Sequence, residues 1–410
     1  MADKKKNKKI VKKITRKEEE ERELQVSSGR SKKGSGFKSF VKIKVIGVGG
    51  AGGNALTRMA DDFVRGVELI AINTDLQDLE AGQARHKLHI GETVTKGMGA
   101  GMNPELGRQA AEENREEIAE LLKGADMVFL TAGFGGGTGT GATPVVAEIA
   151  REKGILTVAV VTKPFTFEGQ ARMRIAEEGI VRIKDKVDTL LIIPNDRIFN
   201  IVDNNTSMVR AFEKIDEVLK SAVQGVAEII TSTGLVNVDF ADVKAIMAEA
   251  GNSIIGVGVA SGNDRAVKAA NQAISSQLLE TSIEGAKGLL FGVAGGRDMR
   301  ISEINEAAKV ITENVDPGAK IIFGAYHDRR LKAGQLKITL IATGFNGLGM
   351  RRSEADSLNL FPFSKGKPVE DKLEKEEAKE GGKMVLEAET EKKKEEDALD
   401  VPAFMRRKKK

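Results

Sequence analysis

The chain has 410 residues, of which 40% are hydrophobic and 30% charged, enough for roughly two to three domains with cores of their own. It contains no cysteine, which excludes disulfides, thiolate metal sites and a thiol nucleophile and fits a reducing, cytosolic compartment. The formal net charge of +4 is uneven: residues 1–38 hold 14 Lys/Arg and 6 Asp/Glu, residues 351–410 hold 16 and 15, and residues 39–350 hold 34 and 39, so a mildly acidic body argues against a core that binds nucleic acid.

No apolar run reaches the roughly 18 residues of a membrane span, and the first residues lack the apolar segment of a secretory signal. Residues 1–38 pass from Lys-rich to Glu-rich to Ser/Gly-rich with little to bury, so a disordered basic tail is expected. An alternation of strands and helices begins at Val41. Val41–Ile46, Val67–Ile72, Met127–Thr131, Leu156–Val161 and Thr189–Ile193 are short apolar runs suited to buried strands, with helical stretches between them. That rhythm implies an α/β fold with a parallel sheet covered on both faces. Asn103, Pro104 and Glu105 form a helix start, and the spacing predicts one helix from there to about Leu122, stopped at Gly124. Residues 207–231 repeat apolar side chains at helical spacing around a wide stripe, a long helix buried on more than one side and ending at Gly234. A second, smaller α/β region is expected over 235–350, with strands near Ile254–Val259, Gly288–Ala294, Lys320–Ala325 and Leu336–Ala342. Residues 351–398, dominated by Glu and Lys, read as a self-solvating linker. Beyond them Leu399, Asp400, Val401, Pro402, Phe404 and Met405 form an apolar end, followed by the basic run Arg406–Lys410, as in a docking peptide on a tether.

Chemistry concentrates in glycine. The first strand leads into Gly47–Asn54, where Gly47, Gly49 and Gly52 satisfy G-x-G-x-x-G, and Asp75 falls 23 residues past Gly52. Alone, that spacing fits the ribose-binding acid of a nicotinamide-dependent oxidoreductase. A second loop, Ala132–Gly141, follows another strand and holds five glycines and two threonines in residues 135–141. Glycine lets main-chain N–H groups approach a polyphosphate, and Thr138 and Thr140 add hydroxyl donors. Two cradles on neighbouring strands suit a mononucleotide triphosphate. A Walker A loop is excluded, because Gly-Lys occurs only at 366–367 and 382–383, without the required spacing.

The GGGTGTG of Gly135–Gly141 resembles the signature of the tubulin/FtsZ superfamily, and the order of the remaining motifs is similar to the FtsZ family of bacterial cell-division GTPases, from about Val41 to Phe345 and again at Leu399–Arg407. The resemblance implies a tubulin-like, Rossmann-type GTP-binding domain over 39–206, a central helix over 207–234 and a GTPase-activating domain over 235–350. GTP or GDP would meet Gly50, Ala51, Gly52, Gly53 and Asn54 of the first loop and Asp75 of the Asn73–Asp75 motif. Gly101 and Asn103 belong to the loop that senses the γ-phosphate, and Gly135, Gly136, Gly137, Thr138, Gly139 and Thr140 to the signature. Glu168 and Arg172 would lie on the ribose side and Asn195 against base or ribose. Phe212 would stack on the purine, with Asp216 accepting the two guanine donors. Asn237, Asp239 and Asp242 match the acidic loop that completes the hydrolytic site of the subunit below. The family implies a head-to-tail homopolymer assembled at the division site under the membrane, with membrane-tethering division proteins docking on the C-terminal peptide. Magnesium would be carried by the nucleotide phosphates, and no dedicated protein metal site is expected.

Plainer readings stand beside these. Glu168 and Arg172 at i, i+4 also make a surface ion pair. Phe212 also reads as core, and N-x-D-x-x-D as a helix cap. His86, His89 and His327 lack ligand spacing. An oxidoreductase has no use for GGGTGTG or the acidic loop, and a non-hydrolysing structural homologue has none for Asp239 and Asp242. Phe134 stands where the family commonly has Met, and Glu217 where Asn or Asp is usual. Asn252–Ile255 replaces a Met-rich stretch.

Overall fold

The computed structural model describes residues 41–345 apart from 61–62, 65, 201, 203–205, 233, 276–282 and 329. The tail expected over 1–38, the linker over 351–398 and the peptide Leu399–Met405 lie outside the described residues.

β1 (Ile43–Val48) runs through a glycine loop into α1 (Gly49–Met59), followed by β2 (Glu68–Asn73), α2 (Leu76–Ala81), β3 (His86–His89) and the single turn α3 (Glu92–Thr95). Then come α4 (Pro104–Glu113), α5 (Arg115–Leu122), β4 (Met127–Gly133), α6 (Gly137–Glu152), β5 (Leu156–Lys163), α7 (Gln170–Lys184) and β6 (Thr189–Pro194). The long α8 (Met208–Thr231) leads to α9 (Phe240–Met247), β7 (Gly251–Ser261), α10 (Arg265–Ile274), β8 (Gly288–Gly295), α11 (Ile301–Thr312), β9 (Lys320–His327) and β10 (Gln335–Thr343). The strands expected from apolar runs are present, most of them extended by one to three residues at an end. β3, reading HKLH, was not foreseen, because a short polar edge strand carries no apolar run.

Ten strands form one sheet in the order β3-β2-β1-β4-β5-β6-β7-β10-β8-β9. β1 to β6 pair in parallel, β10 runs antiparallel to β7 and β8, and β8 and β9 are parallel. The second region continues the sheet through Thr189–Leu191 on Gly251–Ser253. Strand order reverses around β1, which has β2 on one side and β4 on the other. A crevice therefore opens beyond the carboxyl ends of β1 and β4, the ends from which both glycine loops emerge.

Apolar side chains gather in three clusters. One, under α4–α7, includes Ile46, Leu130, Val146 and Ile180; another, under α10 and α11, includes Ala269, Phe291, Ile311 and Ile338. The third is built on α8, whose buried Ile215, Leu219, Val223, Val226 and Ile229 meet Phe129 and Val158 of the first region and Leu290, Tyr326 and Ile341 of the second. Ser207 caps this helix by accepting from the Arg210 N–H at 3.4 Å. Gly225 brings it close to β10: a Cβ there would lie 2.6 Å from Thr339 Cγ2.

The single helix expected from Asn103 to Leu122 is two helices. Asn114 separates them at φ −106°, ψ 26°. Its Oδ1 accepts from the Gly91 N–H at 2.8 Å and its Nδ2 donates to Glu117 at 2.9 Å. The asparagine exchanges helix continuity for a tie to a turn 23 residues earlier. Gly124, at φ +72°, ends α5 as expected. No helix among the described residues is long and apolar enough to cross a membrane.

A buried charge cluster joins α8 to β9 and β10. Glu228, 2% exposed, accepts from Lys337 Nζ at 2.7 Å, Tyr326 OH at 3.2 Å, Gln224 Nε2 at 2.6 Å and the Arg330 guanidinium. Asp328 accepts from Arg330 Nε at 2.9 Å and Lys337 Nζ at 3.3 Å. Burial pushes the Asp328 carboxyl up, but the bonds from Arg330 and the charge of Lys337 outweigh it and hold the group at about 2. An unfolded aspartate titrates near ~3.9, so the stabilisation is complete above that pH and disappears as the pH falls through about 2. Asp328→Asn should therefore flatten the acid limb of stability in that window while lowering the neutral plateau. Urea midpoints across the pH range would show it, and an acid limb as steep as the parent's would assign the proton uptake to other carboxylates.

Candidate functional site

The glycines of the two loops divide by what surrounds them. A Cβ on Gly49 (φ +71°) would lie 3.0 Å from Gly139 N and 3.3 Å from Thr138 Cβ, so the loops after β1 and β4 touch through bare backbone. A Cβ on Gly52 would meet Thr131 O at 2.5 Å, on Gly137 Ala100 O at 2.6 Å, and on Gly139 Gly133 O at 2.5 Å. These positions are glycine because backbone packs on backbone. Gly53 and Gly101 have nothing within 4 Å, and Gly136 has only Gly101 O at 3.8 Å. These three leave open space of the kind a phosphate oxygen needs. A Cβ on Gly50 would stand 3.1 Å from Asp78 Oδ2. Neither α1 nor α6 carries a side-chain cap at its first turn, so the leading N–H groups of α1, and those of α6 after Gly137, remain for an anion.

Thr74 ties the loops together. It is fully buried, and its Oγ1 lies 2.6 Å from Thr138 Oγ1 in the signature loop. Its carbonyl accepts from the Gly99 N–H at 3.2 Å, from Thr95 Oγ1 at 3.3 Å and from His89 Nε2 at 3.2 Å. That carbonyl therefore fixes the 97–103 loop, which the signature loop also holds through the Gly137 N–H donating to Gly101 O at 2.6 Å. The Asn73–Asp75 motif showed in the sequence, but the convergence on Thr74 did not, since its partners lie 15 to 64 residues away.

Other expected site residues fall around this centre. Asp75 is half-buried and caps α2, accepting from the Asp78 N–H at 3.1 Å. Asn103 caps α4 through bonds from the Glu105 and Leu106 N–H groups at 3.1 and 3.3 Å. Thr140 is buried and its Oγ1 accepts from the Gly135 N–H at 2.9 Å, closing the signature loop on itself. Ala51 and Asn54 are exposed on α1. Glu168 pairs with Arg172 and accepts from the Phe165 N–H at 2.9 Å, while a Cβ on Gly135 (φ +108°) would lie 3.1 Å from Arg172 O. Asn195 is buried with no partner for its Oδ1, a polar atom left for a ligand. Phe134 is buried beside Gly179, turned into the core.

Phe212 is 42% exposed and meets the buried Phe165 edge-on at 5.4 Å. One turn along, Asp216 accepts from Arg58 Nε at 2.8 Å, and Arg58 also lies 3.5 Å from Glu213. Burial pushes the Asp216 carboxyl up, and Arg58 opposes that shift. Arg58, on the last turn of α1, was missed by the sequence because its partner is 158 residues away.

Asn237, Asp239 and Asp242 sit beyond the other end of α8, and all three are exposed. Asp239 opens α9 but its side chain makes no capping bond, so the plain helix-cap reading does not describe it. Asn237 Oδ1 accepts from the Gly234 N–H at 2.7 Å, shaping the turn.

Paired glycine cradles at the switch point of a doubly wound sheet, crossed by one long helix, define a nucleotide-binding protein of the tubulin-like class. Residues 42–203 match the Tubulin/FtsZ family, GTPase domain, and residues 251–346 match the FtsZ family, C-terminal domain. An FtsZ dimer from M. jannaschii is 45% identical, with a TM-score of 0.72 over 80% of this chain and 92% of that one. CetZ2 from Haloferax volcanii, a GTPγS-bound protofilament, is 24% identical with a TM-score of 0.62 over 74% of this chain and 92% of that one, a likeness of fold. The chain belongs to the FtsZ branch of the tubulin/FtsZ family. It is thus a GTP-binding cytoskeletal GTPase. These matches establish the family; a bacterial source is not among what they establish.

For the guanine-reading role that the family resemblance implies, Asp216 must be ionised to accept both donors. Arg58→Ala removes the group that opposes its upward shift. We expect GDP affinity to fall about three- to tenfold at pH 8, the worth of one ordinary hydrogen bond, and further at pH 6. Calorimetric titration at both pH values tests this; a loss independent of pH would mean that Arg58 acts by packing alone.

Proposed function

We propose that this protein hydrolyses GTP only where two subunits meet head to tail, and that the resulting filament forms the ring at the division site. The observation that carries the reading is the length of α8. Its 24 residues span about 36 Å, with the base contacts Phe212 and Asp216 in the first half and the acidic loop beyond the far end. A loop so placed is out of reach of its own nucleotide and sits where a heterologous contact presents it to the next subunit's.

The phosphates lie in the open space beside Gly53, Gly101 and Gly136 and on the helix N-termini of α1 and α6, with Thr138 beside them. These loops offer N–H and hydroxyl donors, which suit phosphate oxygens. A magnesium ion would accordingly be held by the phosphates and water, where it neutralises charge. Asp239 and Asp242 of the neighbour orient the attacking water and take up its proton. Loss of the γ-phosphate removes what holds the 97–103 loop and weakens the contact. The two matched regions and α8 act as domains over 39–206, 207–234 and 235–350. The peptide Leu399–Met405 docks on membrane-tethering proteins, so membrane contact is indirect and the filament is cytoplasmic.

Asp242→Ala should bind GTP and pellet as polymer while phosphate release falls about hundredfold, the scale of a lost proton-handling group. Phosphate release and sedimentation would be followed against protein concentration, with GTP and ATP in parallel. Parent specific activity that rises above a threshold with GTP alone supports the shared site. Activity proportional to concentration throughout would mean each subunit is complete, and the roles of Asp239 and Asp242 would fall.

A further inference from the structure

The charge cluster around Glu228 lies outside the nucleotide site, yet it bonds to β9, the strand that also holds the turn leading into the acidic loop. Every bond to Glu228 from outside α8 comes from β9, β10 or their connection: Tyr326, Arg330 and Lys337. Just past the helix, the Leu235 and Val236 N–H groups donate to Ala325 O at 2.7 and 3.1 Å, and the Ala325 N–H donates to Val236 O at 3.0 Å. A Cβ on Gly234 would lie 2.2 Å from that same carbonyl, so the chain is pressed against β9 there. The segment from 228 to 236 is thus held at both ends on consecutive residues of one strand, Ala325 and Tyr326. Asp239 follows three residues later as the residue that opens α9, and Asp242 lies in its first turn.

We propose that Glu228 is a positioning residue for the trans-acting acids: by fixing the end of α8 on β9 it sets where Asp239 and Asp242 stand on the neighbour's nucleotide. The proposal rests on the shared-site reading above. A buried carboxylate held by two cations and a phenol adds little net stability over an apolar pair of the same size, but it tolerates few orientations. The nucleotide pocket makes no bond to the cluster, so its loss moves the acids and leaves GTP binding alone.

The experiment uses the full chain with Glu228→Gln and, as a milder change, Tyr326→Phe, which removes a single bond. GTP affinity below the polymerisation threshold, pelleted mass, melting temperature and turnover per pelleted subunit are read together, with Asp242→Ala in parallel. We expect Glu228→Gln to keep affinity and pelleted mass while turnover per pelleted subunit falls about tenfold, since displacements near 1 Å are enough for such losses; Tyr326→Phe should lose less in the same direction. Parent turnover in a Glu228→Gln polymer would overturn the proposal. So would affinity, pelleted mass and turnover falling together, which marks a purely structural residue. If Glu228→Gln fails to fold, Tyr326→Phe decides by the same criteria. Asp242→Ala that hydrolyses like the parent would instead remove the shared site itself; Asp242→Ala silent beside an unaffected Glu228→Gln would remove only the positioning role.

Discussion

Main chain can hold a triphosphate only where no side chain stands between it and the ligand, and this molecule meets that condition by packing bare backbone against bare backbone. The loop after β4 leaves no room for a methyl group toward Ala100 at Gly137, toward Gly133 at Gly139, or toward Pro104 at Gly141, where a Cβ would lie 1.9 Å from the carbonyl oxygen. Gly107 on α4 meets the same limit from the opposite side, 2.3 Å from Gly137 O. The glycines that pack in this way hold the loop still; the open ones, Gly53, Gly101 and Gly136, are then fixed in space with room left beside their Cα atoms. Preorganised donors of this kind need no rearrangement when the anion arrives.

The second constraint is the long helix. α8 has a buried stripe shared between the two halves of the sheet, from Phe129 and Val158 to Leu290 and Ile341. Its first half carries the Phe212 and Asp216 contacts and its last turns carry Glu228. Packed on both sides in this way, the helix links its first turns to β9 as one body, since close-packed interiors transmit strain rather than absorb it. Arg58 adds to this at the nucleotide end by tying α1, which begins in the first glycine loop, to Asp216 and Glu213.

What the sequence made legible follows from how local each signal is. A strand such as β5, in the middle of the sheet, is a continuous apolar run because both its faces are covered, and composition alone marks it. The glycine loops are equally local, since the demand for close approach is met by the residue itself. β3 was hidden because four polar residues at an edge bury little. The break at Asn114 was hidden because the reason for it, the Gly91 N–H, comes from another turn. In the site, residue types that bind through a motif were visible, whereas Thr74, Arg58 and the partners of Glu228 were not. Each acts through a side chain whose counterpart is brought near only by the finished sheet.

The same distinction separates stability from orientation. An apolar core is tolerant: residues of similar volume exchange at modest cost, and direction hardly matters. A pair of buried carboxylates held by two partly exposed cations is less tolerant, since the attraction offsets the loss of water only in a narrow geometry. Such a set is a poor means of stabilising a domain and a good one of fixing an angle. It stands here where the long helix meets β9, the strand to which the turn just before Asn237 is bonded through Ala325.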